Sequence, residues 1–157
     1  MCKVGWWTSA VLFTCLILVS YKFVYQGDVK LADDGRVAIL LDETEKTIVL
    51  SEMRALLNSV QQITEGINKD DMELIAEAAS RVGWETQRDV PGTLQGKLPI
   101  SFKKLGSEAH RMFDQIALDA KDLGDKDHVL VQLGQVMTKC VSCHAIYKIE
   151  VPIPSPK

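Results

Sequence analysis

Four stretches of the chain carry apolar residues at intervals of three and four positions, the spacing that places them along one side of an α-helix. Such a stripe must be buried against other helices, and short connections favour antiparallel neighbours. The stretches cover about residues 43–68, 70–83, 99–124 and 125–148. The longest repeats through Val49, Met53, Leu56, Val60, Ile63 and Ile67. The sequence therefore predicts an all-α domain, an antiparallel four-helix bundle with up-down-up-down topology.

Capping residues mark the ends of these helices. Asp70 is a candidate N-cap of the second helix, and Gly83 ends it. Pro99 suits the first turn of the third helix, and Asp125 suits the N-cap of the fourth. We expect residues 84–98, which contain proline and glycine, to be mostly a connection.

The remaining segments flank the bundle. Residues 27–42 are expected to be a linker or strap, in which Val37 to Leu41 fits a strand and an extended segment equally well. The bundle domain is expected to span residues 43–150. Residues 151–157 would then form a C-terminal tail.

The N-terminal segment is apolar enough to enter a membrane. The 20 residues from Trp6 to Tyr25 contain one charged residue, Lys22, and a helix of this length spans roughly the 30 Å hydrocarbon layer. A cleaved signal peptide is the alternative. However, no small-residue cleavage site follows, and bulky aromatic residues occupy the positions after Val19. We expect residues 1–26 to form a retained, single-pass transmembrane helix.

The charge balance beyond this helix argues against a nucleic-acid partner. The chain has 18 Lys and Arg against 21 Asp and Glu, a net charge of −3. Without Lys3 and Lys22, 16 basic residues remain against 21 acidic ones, a net charge of −5. Because no basic stripe emerges, nucleic-acid binding is not expected. No paired-acid or nucleophile arrangement indicates an enzyme.

Cys140, Cys143 and His144 form a Cys-x-x-Cys-His motif on the apolar stripe of the fourth helix. Two thiols at this spacing can bond to the two vinyl groups of one haem, and the adjacent imidazole can bind its iron as the proximal ligand. A thiol-redox disulfide, half of a zinc site and two unreactive buried cysteines are the alternatives. Cys2 precedes the apolar N-terminal segment, and Cys15 lies within it. The domain that follows therefore has only two cysteines, too few for a four-cysteine zinc site. The motif favours one covalent haem c.

The predicted topology also indicates which residue faces the haem opposite His144. The end of the fourth helix would lie beside the start of the first, where Met53 is the methionine on the core stripe. A thioether is a suitable sixth iron ligand, and a methionine that fills a gap in the core is the alternative. We expect Met53 to be the distal ligand. His110, beside the stripe of the third helix, is expected to be a hydrogen-bonded structural histidine, with a contact to the haem edge and iron ligation as the alternatives.

With these features, residues 43–148 resemble the cytochrome c-prime family, c-type cytochromes that fold as four-helix bundles with the haem motif in the last helix. The specific match is Cys140-x-x-Cys143-His144-x-x-Tyr147-Lys148. The resemblance implies thioether links at both cysteines and proximal ligation by His144. It also implies that Tyr147 and the basic Lys148 neighbour the haem pocket.

The resemblance also suggests roles for residues of the first helix of the predicted bundle. The family tends to carry an arginine near the haem propionates, a role that Arg54 would fill. The family's distal residue often lies about one turn after that arginine. This spacing would place Leu57 over a five-coordinate iron and leave Met53 in the core.

Three functions fit the sequence. The first is a membrane-tethered electron carrier with His/Met ligation, which works with redox partner proteins at the periplasmic side of a bacterial inner membrane. The second is a five-coordinate haem protein that binds nitric oxide or carbon monoxide. The third is a haem-free thiol-redox or metal-binding protein. Homodimer formation is left open.

Overall fold

The computed structural model describes residues 2–152, with side chains from residue 5 onward. The described chain is mostly helical and carries a small sheet. In chain order it forms α1 (Cys2–Ser20), a π-helix (Tyr21–Gln26), β1 (Val29–Leu31), β2 (Val37–Leu40), α2 (Glu43–Lys69), α3 (Met72–Ser80), a 3-10 helix (Trp84–Asp89), α4 (Gly92–Lys97), α5 (Ile100–Asp122), α6 (Lys126–Ile146) and β3 (Tyr147–Glu150).

The four predicted helices correspond to α2, α3, α5 and α6. Asp42 and Glu45 form a reciprocal capping box at the start of α2, which satisfies two backbone N–H groups of its first turn. Asp125 caps α6 as expected. The predicted cap of α3 was one residue early. Asp71 accepts from the Leu74 N–H, whereas Asp70 adopts the left-handed conformation that ends α2.

The helical stripes meet in a main core between α2, α3, α5 and α6. α3 packs against both α2 and α5, and α6 packs mainly against α5. The largest fully buried side chains of this core are Ile63, Ile75, Phe113, Ile116, Val129 and Val136. The helical class is confirmed, but a four-helix bundle is not, because α3 has nine residues and pairs with only part of the 27-residue α2.

A second cluster of buried apolar residues is separate from the main core and includes residues that follow α3 in the chain. Residues 84–98, expected to be a connection, contain the 3-10 helix and α4, whose Leu94 is buried here. Ile39 and Leu41 enter the cluster from the strap, and Val49 enters it from the start of α2. The cluster therefore joins the strap and the short helices to the ends of the long ones.

The strap and the C-terminus of the domain form one three-stranded sheet. β1 pairs antiparallel with β2, and β2 pairs parallel with β3, with Val37 opposite Tyr147 and Leu40 opposite Glu150. The all-α prediction missed this sheet. Tyr147 and Lys148 were expected on the fourth helix, but α6 ends at Ile146. The β-branched and aromatic residues of 146–151 favour an extended chain, and β2 offers it a free edge.

The N-terminal helix is long and apolar enough to cross a membrane. All described side chains of residues 5–26 are exposed, so α1 and its π-helical extension are not buried in the domain. α6 meets the same test of length and composition, but its Val129, Leu133 and Val136 are buried in the main core.

Candidate functional site

A cavity of about 590 Å³ lies between the ends of α2, α5 and α6, and the 3-10 helix and α4 contribute to its wall. Its lining is largely apolar and comes from every one of these elements. The apolar lining residues are Val49, Met53, Leu56, Trp84, Val90, Leu94, Leu98, Ile100, Phe102, Leu105 and Ala109. Both motif cysteines and His144 complete the wall.

The last two turns of α6 present the motif to this cavity. Cys140 and Cys143 are three positions apart, and Cys140 and His144 are four apart, so all three lie on neighbouring positions of one helix face. The two cysteines are half-buried and are free thiols, and His144 is exposed at the cavity edge. The helical spacing therefore places two thiols and an imidazole on one wall of the cavity.

Burial also sets the chemistry of the two thiols. It raises the pKa of Cys140, and it raises the pKa of Cys143, where the neighbouring Cys140 adds to the effect. A raised pKa keeps both groups as neutral thiols at neutral pH. Thiol-redox centres depend on a lowered pKa, so this environment does not favour that chemistry.

Met53 lines the same cavity from α2. It is half-buried, packs against the second apolar cluster, and follows Val49 by four positions on the wall. Met72, Met112 and Met137, the other methionines of the domain, do not line the cavity. Met53, the methionine expected opposite His144, therefore shares a cavity with it.

The residues that the family resemblance suggested for α2 lie elsewhere. Arg54 is exposed and is not part of the cavity wall. Leu57 is 69% exposed and is likewise absent from the wall, where Leu56 takes the place next to Met53. The α-helical rotation of about 100° per residue turns Arg54 away from a face centred between Val49, Met53 and Leu56.

Tyr147 and Lys148 are also outside the cavity lining, because they belong to β3. The Tyr147 ring packs edge-on against Phe102, 5.4 Å between centroids, and its hydroxyl lies 2.5 Å from Ser101 Oγ. Tyr147 thus supports the cavity wall from behind. Lys148 Nζ instead pairs with Glu150 at 2.9 Å and with Asp34 at 3.6 Å.

His110 is the buried polar residue of the cavity wall. It is 4% exposed, and its Nδ1–H donates to the Val82 carbonyl at 2.8 Å. Its Nε2 lies 3.1 Å from Glu52 Oε1 and 2.9 Å from Gln87 Nε2. The hydrogen bonding expected of His110 is confirmed. Both ring nitrogens are engaged by protein groups.

The partners of His110, Glu52 and Gln87, were not predicted from the sequence. Burial opposes ionisation of Glu52, but hydrogen bonds from His110 and Gln87 hold its pKa below the usual value. Burial also opposes the His110 cation, yet the bonds with Glu52 and the Val82 carbonyl raise its pKa overall. The sequence feature that could have indicated this pair is Glu52, a carboxylate three positions after Val49 at the edge of the apolar stripe of α2.

Comparison of the chain with protein-family models, with curated proteins and with solved structures found no match. Among the side chains of residues 5–152, no group of three or more His, Cys, Asp and Glu is arranged to hold a metal ion by itself.

Proposed function

We propose that this protein is a membrane-anchored c-type cytochrome that carries single electrons. The observation that carries the proposal is one cavity lined together by the thiols of Cys140 and Cys143, the imidazole of His144 and the thioether of Met53. Two thiols and an imidazole at this spacing are the set that covalent haem attachment needs.

The cavity suits the cofactor in size and chemistry. Its volume of about 590 Å³ lies within the roughly 300–1,000 Å³ typical of ligand and cofactor pockets. Its walls are mostly aliphatic and aromatic, which suits the faces of a porphyrin. Polar and charged groups also line the cavity and would fix the orientation of a ring that carries polar substituents; they belong to Glu52, Gln87, Gln95, Lys103, Lys104, Ser107, His110, Lys139 and His144.

Each residue then has a separate role. Cys140 and Cys143 would hold the haem through thioether bonds, and His144 on α6 and Met53 on α2 would be the iron ligands. When bound, the haem supplies a one-electron iron couple. Leu56, Leu94 and Phe102 line the site and would exclude water from the faces of the bound ring, which would limit solvent reorganisation during electron transfer. A methionine ligand raises the reduction potential.

The likeness to the cytochrome c-prime family supports this assignment through the position of the motif at the end of the last long helix. The chain departs from that pattern at α4 and at β3, which add a second cluster beside the cavity. α1 would anchor the domain in a bacterial inner membrane, with the cavity on the periplasmic side. There it would exchange electrons with redox partner proteins.

Covalent attachment is the decisive test. The full-length protein should be produced in cells with c-type maturation machinery and extracted with acid acetone. We expect the colour to stay with the wild-type polypeptide, whereas the double variant Cys140→Ala/Cys143→Ala should retain none. Cys15→Ala removes a thiol from α1 and serves as the matched control, which should keep its colour. Pigment that leaves the wild-type protein completely would overturn the proposal.

A haem-free thiol protein has less support, because burial raises the pKa of both cysteines. A pyridine haemochrome spectrum of the purified protein separates the two functions directly. It reports two saturated vinyl groups if both cysteines are linked.

A further inference from the structure

Three lysines line the otherwise largely apolar cavity: Lys103, Lys104 and Lys139. Lys139 Nζ pairs with Glu108 at 2.8 Å, and Lys104 is exposed with its charge also near Glu108. Lys103 differs from both. Within residues 5–152 it forms no ion pair with a carboxylate, although it is half-buried.

Two hydrogen bonds hold the ammonium group of Lys103 in place. Its Nζ donates to the backbone carbonyls of Val24 and Gln95, each at 3.2 Å. An ammonium has three N–H donors, so one remains for a further acceptor. Burial lowers the pKa of Lys103, which means that the protein removes water from this cation without supplying an opposite charge.

A cation of this kind in a cavity wall favours an anionic ligand. A carboxylate at the third donor would compensate the charge and complete the hydrogen bonding of the ammonium. Haem is an apolar ring that carries two propionate carboxylates. The apolar ring matches Ile100, Phe102 and Leu105, and a propionate matches Lys103, which belongs to the same part of the cavity wall.

We propose that Lys103 binds a haem propionate. This inference rests on the proposed function and assigns to α5 the role that the family resemblance suggested for Arg54 on α2. Because Lys103 also contacts the Val24 carbonyl, the propionate would lie beside the end of the π-helix that follows α1.

The test uses the full-length holoprotein in detergent and compares three variants. Lys103→Met removes the charge and the donor, Lys103→Arg keeps the charge with a different donor geometry, and Lys104→Met removes a charge from the same cavity wall. Two properties are measured in each variant. Spectroelectrochemistry gives the midpoint potential, and resonance Raman spectroscopy gives the propionate bending band.

In Lys103→Met we expect a lower midpoint potential, because loss of a nearby positive charge favours the ferric state, and a shifted propionate band. Lys103→Arg should keep a potential close to wild type and shift the band by less. Lys104→Met should leave the band in place. This difference separates a contact with the propionate from a general change in charge.

An unmoved propionate band in both Lys103 variants, with covalent haem intact, would overturn the inference and leave the proposed function standing. If Lys103→Met does not mature, an unmoved band in Lys103→Arg is sufficient to overturn it. Wild-type protein without covalent haem would overturn the proposed function and this inference together.

Discussion

His110 and Glu52 face each other in the cavity wall, with 3.1 Å between Nε2 and Oε1. The pair joins α5 to α2 across the opening between these helices, and the Val82 carbonyl holds the other side of the imidazole. Since removal of one partner leaves a poorly solvated charge, the pair makes the cavity wall sensitive to pH.

The stability of the fold should therefore depend on pH through this pair. The Glu52 pKa lies below its usual 4.5, so its contribution is lost as the pH falls through the folded-state value. The His110 pKa lies above its usual 6.5, so its contribution is complete below 6.5 and is lost as the pH rises through the folded-state value. The pair should stabilise the fold most between pH 4.5 and 6.5.

We expect His110→Gln to lower the free energy of unfolding by about 1–3 kcal/mol in that window and to remove the decline in stability above it. Thermal unfolding of the full-length protein in detergent, followed by circular dichroism at several pH values, measures both effects. His128→Gln is the matched control, because His128 faces Asp119 at 3.2 Å on the surface and should change stability by less than about 0.5 kcal/mol. Equal losses in the two variants would contradict the prediction.

The junction between the membrane helix and the domain leads to a second prediction. Gly27 has φ +70°, and a Cβ there would lie 2.7 Å from the Pro99 nitrogen and closer still to the Lys97 carbonyl oxygen. Gly27→Ala should therefore destabilise the fold by about 2 kcal/mol or more, from backbone strain and from a clash with backbone atoms that cannot move freely.

Gly35→Ala separates the two contributions to this loss. Gly35 has φ +81°, but the space around its Cβ position is open. This variant should show only the strain, about 1 kcal/mol. Similar unfolding temperatures for the two variants would show that the close approach at Gly27 does not matter.

The sequence predicted the long helices well because each has a continuous apolar stripe and recognisable caps. The stripe through Val49 and Met53 also placed Met53 at the cavity. Neither Arg54 nor Leu57 lines the cavity, because the family resemblance supplies only a spacing along the chain, whereas the rotation of α2 in this protein brings Leu56 to the wall.

The sheet and the Glu52–His110 pair depend on contacts between distant parts of the chain, which periodicity within one segment does not report. β3 is recognisable only once β2 supplies its partner, since Tyr147 continues the helical spacing of Cys140 and Cys143. Likewise, His110 and Glu52 are 58 positions apart, and neither local pattern indicates the other.

Retention of the N-terminal helix is the third prediction. The aromatic residues at the π-helix leave no small-residue cleavage site, and the Lys103 contact with Val24 ties this segment to α5. We expect intact-mass measurement of the protein from the membrane fraction to give a chain that begins at or near Met1. A soluble mature form that begins near Gly27 would contradict this expectation.

The fourth prediction concerns the iron ligand opposite His144. If Met53 binds the iron, the ferric protein should be low-spin and should show the weak far-red band of a sulfur-to-iron charge transfer. Met53→Ala should abolish this band and lower the midpoint potential, because a thioether ligand favours the ferrous state. The variant should also allow carbon monoxide to bind the ferrous iron, since a ligand position becomes free.

Met137→Ala is the control for this experiment, because Met137 is 48% exposed on α6 and does not line the cavity. It should leave the far-red band and the potential unchanged. The wild-type spectrum distinguishes the electron carrier from the gas-binding haem protein, because these two functions differ only in whether Met53 binds the iron. A high-spin ferric protein that binds carbon monoxide readily in the ferrous state would make Met53 a packing residue beside Val49 and Leu56. The cavity would then belong to a gas-binding haem protein, because an iron with an open position exchanges ligands, whereas one held by His144 and Met53 can exchange only electrons.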